Sequence, residues 1–233
     1  MSTYPTNLRL TGTLFYPPPV ITPMSPGNGI TVYSDYVCPF CYLGRLSLDE
    51  YQETRERELD LEWHPFDLRS NKRGPDGKID QLVDDGKDET YFEHVRQNVA
   101  RLKDEYNADD MLDLDELPDD VDSLDAQVAS FYVKTEHPDH WLTFDEAIFE
   151  ALWIDGRDIG DEDVLVELAE ETGLDGDDIR TAIRNDANRY RLHEEFLEAQ
   201  RQRITGVPTF AYDHHVVRGA VPPGQLARLV EGT

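Results

Sequence analysis

Cys38 and Cys41 are the only cysteines in the 233-residue chain, and Pro39 and Phe40 separate them. A pair at this spacing can exchange a disulfide with another thiol or supply half of a zinc site. Exchange needs a thiolate, so something must favour negative charge on one sulfur. A β-type run, Ile30-Thr31-Val32-Tyr33, ends at Ser34, and Asp35 and Tyr36 lead out of it. Beyond the pair, Leu43, Leu46, Leu48 and Tyr51 form an apolar face that predicts a helix to about Glu58. Cys38 then falls at a helix N-terminus, where unpaired N–H groups and the helix dipole favour an anion. Pro39 suits the first turn because the N–H it lacks would be unpaired there. This order makes Cys38 the attacking residue and Cys41, one turn further on, the residue that resolves a mixed disulfide. As a structural staple the pair would do little, since it closes almost no loop.

Zinc would need two more ligands, to be drawn from the scattered His64, His94, His137, His140, His193, His214 and His215. The expectation is therefore no metal. The run Asp109, Asp110, Asp113, Asp115, Glu116, Asp119 and Asp120 lacks the central Gly and terminal Glu of a calcium loop and reads as a solvated face. Asp35 reads either as a simple cap or as an influence on the dithiol from three residues upstream, and His64 as a structural strand residue.

The elements that must position the pair follow from periodicity. Leu59 to Phe66 alternates apolar and polar residues as a strand does. From about Ser70 to Arg203 the spacing turns helical. Thr90 with Glu93 has the spacing of a capping box and is followed by Phe92, Val95, Val99, Leu102 and Tyr106. A second helix carries Leu124, Val128, Phe131 and Tyr132, and a third opens at Thr143 and Glu146. A fourth spans about Asp161 to Gly173, and a last one runs from Asp175 through Ile179, Ile183, Tyr190 and Phe196. Strands return at Val207–Tyr212 and Val216–Arg218, joined by a turn at Asp213-His214-His215, and a helix closes the chain at about Pro223–Glu231. Three parts result: a Pro-rich arm at 1–28, a β-containing domain made of 29–69 plus 204–233, and a helical insertion at 70–203. Met24, just ahead of the first strand, is a second candidate start.

Far downstream lies Thr205-Gly206-Val207-Pro208-Thr209-Phe210. Alone it reads as a proline opening a strand. Together with the upstream pair it resembles the thioredoxin superfamily, whose cis-proline precedes a core strand and faces the dithiol, with Gly-Val-Pro-Thr-Phe a common form in DsbA-like proteins. The stretch Tyr33 to Gly44, His64-Pro65-Phe66, Gly156 to Ile159, Gly173-Leu174-Asp175 and Arg218-Gly219-Ala220 resemble the FrnE-like branch of the DsbA family over roughly Ile30 to Val230. The resemblance implies an α/β thioredoxin-like fold with an inserted all-helical domain. It also implies that Val207 offers backbone groups to a bound substrate, with Pro39, Phe40 and Pro208 beside it. One stretch departs, with Gln127 where relatives often show His-Arg.

The expected activity is thiol-disulfide exchange with protein or low-molecular-weight thiol substrates, with no cofactor beyond the dithiol and with room for glutathione. Two other readings stay open. One is a glutathione-dependent transferase or isomerase of the kappa-class and 2-hydroxychromene-2-carboxylate isomerase type, in which a serine typically replaces the first cysteine. The other is a non-enzymatic redox-linked chaperone. A homodimer is compatible with either.

The formal net charge of −27, from 49 acidic and 22 basic residues, argues against a nucleic-acid partner. The acidic, Lys-poor composition resembles that of proteins from extreme halophiles. No run approaches the roughly 18 apolar residues of a membrane helix. The first 29 residues carry one basic residue, Arg9, and prolines break every apolar stretch, so the expected location is the cytoplasm rather than a secretory route.

Overall fold

In a computed structural model, residues 29–74 and 77–232 are described, and the predicted arm at 1–28 lies outside them. Strand β1 (Gly29–Ser34) and strand β2 (Asp60–Pro65) run parallel, with Val32 opposite Trp63 and Tyr33 opposite His64. Parallel neighbours need a crossover, which helix α1 (Pro39–Glu53) supplies. Strands β3 (Thr209–Tyr212) and β4 (His215–Arg218) add antiparallel, giving the sheet order β2-β1-β3-β4. Helix α8 (Pro223–Glu231) packs on α1 and the β3–β4 hairpin. The architecture is the thioredoxin fold with six helices inserted between β2 and β3: α2 (Glu89–Glu105), α3 (Leu124–Glu136), α4 (Pro138–Trp153), α5 (Glu162–Glu171), α6 (Gly176–Arg184) and α7 (Asp186–Arg201).

The inserted helices start where short polar side chains can take the orphan N–H groups of a first turn. Asp88, Asp161, Asp175 and Asn185 each accept a backbone N–H in that way. Several boundaries differ from the periodic reading, beginning with α1, which ends at Glu53 rather than at about Glu58. Helix α2 is capped by Asp88, not by Thr90, and Phe92 lies outside its buried stripe of Val95, Val99 and Leu102. Helix α4 opens at Pro138, because proline fits the first helical position, and this leaves Thr143 inside the helix. The last helix of the insert is two helices, since the Asn185 cap interrupts it. That break resets the helical phase, so Asn188, Leu192, Phe196 and Ala199 face inward while Tyr190 is 66% exposed. His215 belongs to β4 rather than to the turn.

Two cores flank the sheet. Ile30, Leu48, Tyr51, Phe210 and Leu226 join the sheet to α1 and α8. The larger core gathers Tyr36, Trp63, Trp141, Phe144, Phe149 and Trp153, and it also contains both cysteines. The inserted helices therefore pack directly against the dithiol end of α1. Among the described residues no helix is long and apolar enough to cross a membrane.

Candidate active site

Cys38 is the N-cap of α1, and the turn that delivers it is closed by its N–H donating to the Asp35 carbonyl at 3.1 Å. Its own carbonyl accepts from the Cys41 N–H at 2.9 Å, which starts the helix. Both thiols are free and 3% exposed. The Cys38 thiol donates to the Val207 carbonyl at 3.6 Å, bridging 169 positions of sequence. The Val207–Pro208 peptide is cis.

Burial pushes the Cys41 thiol well up, and the neighbouring Cys38 sulfur adds to the effect, while the Asp35 backbone N–H opposes it. Cys41 is thus held as a protonated thiol.

Helix α1 and the proline loop meet closely. A Cβ added at Gly44 would stand 3.1 Å from Pro208 Cγ and 3.2 Å from Phe210 Cζ, so any side chain here would require those neighbours to give by a few tenths of an ångström. Pro208 is buried against α1, whereas Val207 reaches the open side of the site. There a groove of about 440 Å³ is lined by Cys38, Pro39, Phe40 and Val207 together with Leu68, Arg69, Lys72, Phe92, Leu117 and Trp153. Sequence-predicted Cys38, Pro39, Phe40 and Val207 share this groove; Cys41 lies behind it beside Trp63, Trp141 and Phe149.

Beneath the dithiol are polar groups that local sequence did not reveal. Asp35 is 1% exposed, and its carboxylate accepts from Ser123 Oγ at 2.5 Å and from the Leu68 N–H at 2.8 Å. Ser123 in turn accepts from Gln127 Nε2 at 3.2 Å, and Gln127 also reaches the Phe66 carbonyl at 3.3 Å. Gln127 Oε1 has no partner, unlike the other buried side-chain polar atoms among the described residues. On the far side, Asp145 of α4 accepts from Tyr36 Oη at 2.6 Å and pairs with Arg45. Trp153 Nε1 donates to the Tyr36 carbonyl at 2.8 Å, fixing the turn before Cys38. These partners come from helices some hundred positions away, so motif spacing carries no trace of them. The sole local signal was an acidic residue three positions before the first cysteine.

His64 sits apart from the groove. Its Nε2 lies 3.3 Å from Glu195 and its ring is tilted against Tyr33 at 4.6 Å, while burial lowers its pKa. Among the described residues no group of three or more His, Cys, Asp or Glu side chains is arranged to hold a metal ion.

The family model for DSBA-like thioredoxin domains matches residues 29–231. Over 195 residues the chain is 31% identical to the uncharacterized protein YwbO of Bacillus subtilis (strain 168), covering 82% of this chain and 90% of that one. A crystal structure of a probable DsbA oxidoreductase from Streptomyces coelicolor is similar at a TM-score of 0.67 and 20% identity, over 87% of this chain and 89% of that one. A 2-hydroxychromene-2-carboxylate isomerase is similar at a TM-score of 0.67 and 18% identity, over 87% and 93%. At these identities the two structures share the fold and do not choose between redox and isomerase chemistry.

Proposed function

Because the chain belongs to the DSBA-like thioredoxin domain family, we propose that it is a thiol-disulfide oxidoreductase working through Cys38 and Cys41. The observation that carries this reading is the contact of the Cys38 thiol with the Val207 carbonyl, at the N-terminus of α1 and at the floor of an open groove. Cys38 as thiolate attacks one sulfur of a substrate disulfide, and the other substrate sulfur leaves as a thiolate that takes up a proton. The mixed disulfide lies across the Val207 backbone. Cys41 then loses its proton and attacks Cys38, which releases the second substrate sulfur and leaves the Cys38–Cys41 disulfide. Run in reverse, the same steps oxidise a substrate dithiol.

The two sulfurs are suited to different roles. Cys38 opens on the groove and on the anion-favouring end of α1, whereas burial keeps Cys41 protonated until the first step is complete. The motif series at Tyr33–Gly44 and His64–Phe66 supports a FrnE-like place within the family, with protein or small thiol substrates and a cytoplasmic site of action. Two cysteines, rather than a serine and a cysteine, favour dithiol chemistry over glutathione-dependent isomerisation.

Insulin reduction with dithiothreitol tests the assignment. The wild-type protein should accelerate it, Cys38→Ser should abolish the acceleration, and Cys41→Ser should stall as a mixed disulfide detectable by mass. Equal activity in wild type and Cys38→Ser would sink the reading. Conjugation of glutathione to an electrophile that survives Cys41→Ser would support the transferase class instead.

A further inference from the structure

The groove beside Cys38 departs from the charge of the rest of the molecule. The chain carries 49 acidic residues and only five lysines, yet residues 69–78 hold Arg69, Lys72, Arg73 and Lys78 against Asp76 alone. Arg73 is committed to the interior, paired with Asp67 at 2.7 Å and Asp122 at 2.8 Å. Lys87, on the groove, is paired with Asp85 at 3.2 Å. Arg69 and Lys72 differ. Both are half-buried in the groove lining, and their side chains make no hydrogen bond and no ion pair within 4.0 Å among the described residues. Asp122 and Asp85, which feel their charge, are each already held by another cation, and Asp120, also on the groove, accepts from Gln81 Nε2.

The same groove has an apolar rim. Tyr91 and Phe92 project from the start of α2, 44% and 40% exposed, edge to face at 5.4 Å. Neither is used in the core of the fold. Two cations unpaired among the described residues, two exposed aromatics and a reactive thiol therefore share one open trough of about 440 Å³. An extended chain presents alternate side chains to one face, so it can offer a carboxylate and an apolar group at once.

We propose that this groove selects disulfide-bonded polypeptide segments bearing acidic side chains beside the cysteine. Arg69 and Lys72 take the carboxylates, and Tyr91 with Phe92 takes a neighbouring apolar side chain. The inference rests on the dithiol reading above. The net charge of −27 opposes the approach of any acidic peptide at low salt. Selectivity at the contact is therefore read in molar KCl, where the Debye length is roughly 3 Å and the far field is gone. Two partly exposed ion pairs then amount to about threefold to tenfold in rate.

The pre-reduced protein is mixed in single turnover, in 1 M KCl, with three synthetic disulfide peptides that differ only in having Glu, Gln or Lys beside the bridge. Each rate is divided by that of the same peptide with free dithiothreitol, which removes differences in intrinsic reactivity. The Glu peptide should react about threefold to tenfold faster than the Gln peptide, with the Lys peptide slowest. In the double variant Arg69→Gln/Lys72→Gln the Glu-to-Gln ratio should fall to about one. Since the readout is a ratio, a variant that merely folded poorly would lower both rates together. A ratio near one in the wild-type protein, or one that persists in the double variant, overturns the proposal and leaves the dithiol reading standing. A further arm compares dithiodiglycolate with hydroxyethyl disulfide; a preference confined to these small disulfides also overturns it. Failure to reduce any peptide, or reduction unaffected by Cys38→Ser, removes both.

Discussion

The Asp35 carboxylate is held inside the protein by a hydroxyl and two backbone N–H groups, with no cation among its hydrogen-bond partners. Burial dominates over those donors and pushes its pKa up to about 6. A carboxylate raised in the fold above its unfolded value of about 3.9 favours the folded state when protonated, and that advantage is lost as pH rises through the folded value. The window is therefore about pH 4 to 6, and above it the ionised group costs on the order of 3 kcal/mol. Asp35→Asn removes the titration but keeps one acceptor, so any change in hydrogen bonding is an offset independent of pH. Urea unfolding from pH 3.5 to 7.5 should show the wild type losing about 3 kcal/mol relative to the variant across that window, and a constant difference would refute the assignment. Asp145 behaves differently, because this buried carboxylate neutralises the half-buried Arg45 and accepts from Tyr36. Asp145→Leu takes the nearer carboxylate from Arg45, leaving Asp49 at 3.9 Å, and removes the acceptor of Tyr36 Oη; it should cost up to about 3 kcal/mol, whereas Asp145→Leu combined with Arg45→Met should recover most of it. Thermal melts of the three proteins decide this.

At the scale of elements, the site depends on how closely α1 approaches the loop before β3. Gly44 permits that approach, and Gly44→Val would drive side-chain carbons into Pro208 and Phe210. The expected loss is about 1–3 kcal/mol of stability. The rate with small disulfides should fall as well, because Val207 moves off Cys38; an unchanged rate would show that the contact is not needed. The order of the sheet elements and the helical start at Cys38 were legible, because a period-two run, a proline at the first turn and an apolar face are local signals. The break between α6 and α7 was not. Ile179 and Ile183 run smoothly in spacing toward Tyr190, and only the Asn185 side chain closing on the Ala187 N–H shows that a new helix begins. The same limit hid the Asp35–Ser123–Gln127 chain and the Asp145 pair. Each joins groups about 90 to 100 positions apart, and the fold alone brings them within reach.

For the whole molecule, the decisive quantity is charge that cannot be paired. With 49 acidic and 22 basic residues, 27 negative charges stay without a compensating cation charge however the side chains arrange themselves, even where one arginine meets two carboxylates as Arg73 does. Many of the cations present are already taken: Arg180 and Arg184 share Glu162, and Arg157 sits with Glu167. Folding brings the surplus carboxylates together, so screening favours the compact state. Screening also weakens surface ion pairs, but each of those contributes only about 0–1 kcal/mol. The balance therefore predicts a melting temperature that rises with KCl. The largest part of the rise should come below about 0.15 M, where the Debye length shrinks from roughly 30 to roughly 8 Å. A net gain of about 2 kcal/mol would correspond to a shift on the order of 5 °C for a chain of this size. Choline chloride should reproduce the rise, because screening depends on ionic strength and not on the identity of the cation. Equimolar sucrose, which acts through exclusion from the surface, should not reproduce its early onset. A melting temperature that stays level or falls with added salt would mean that the ion pairs outweigh the repulsion, and the salt-adapted reading of the composition would fall with it.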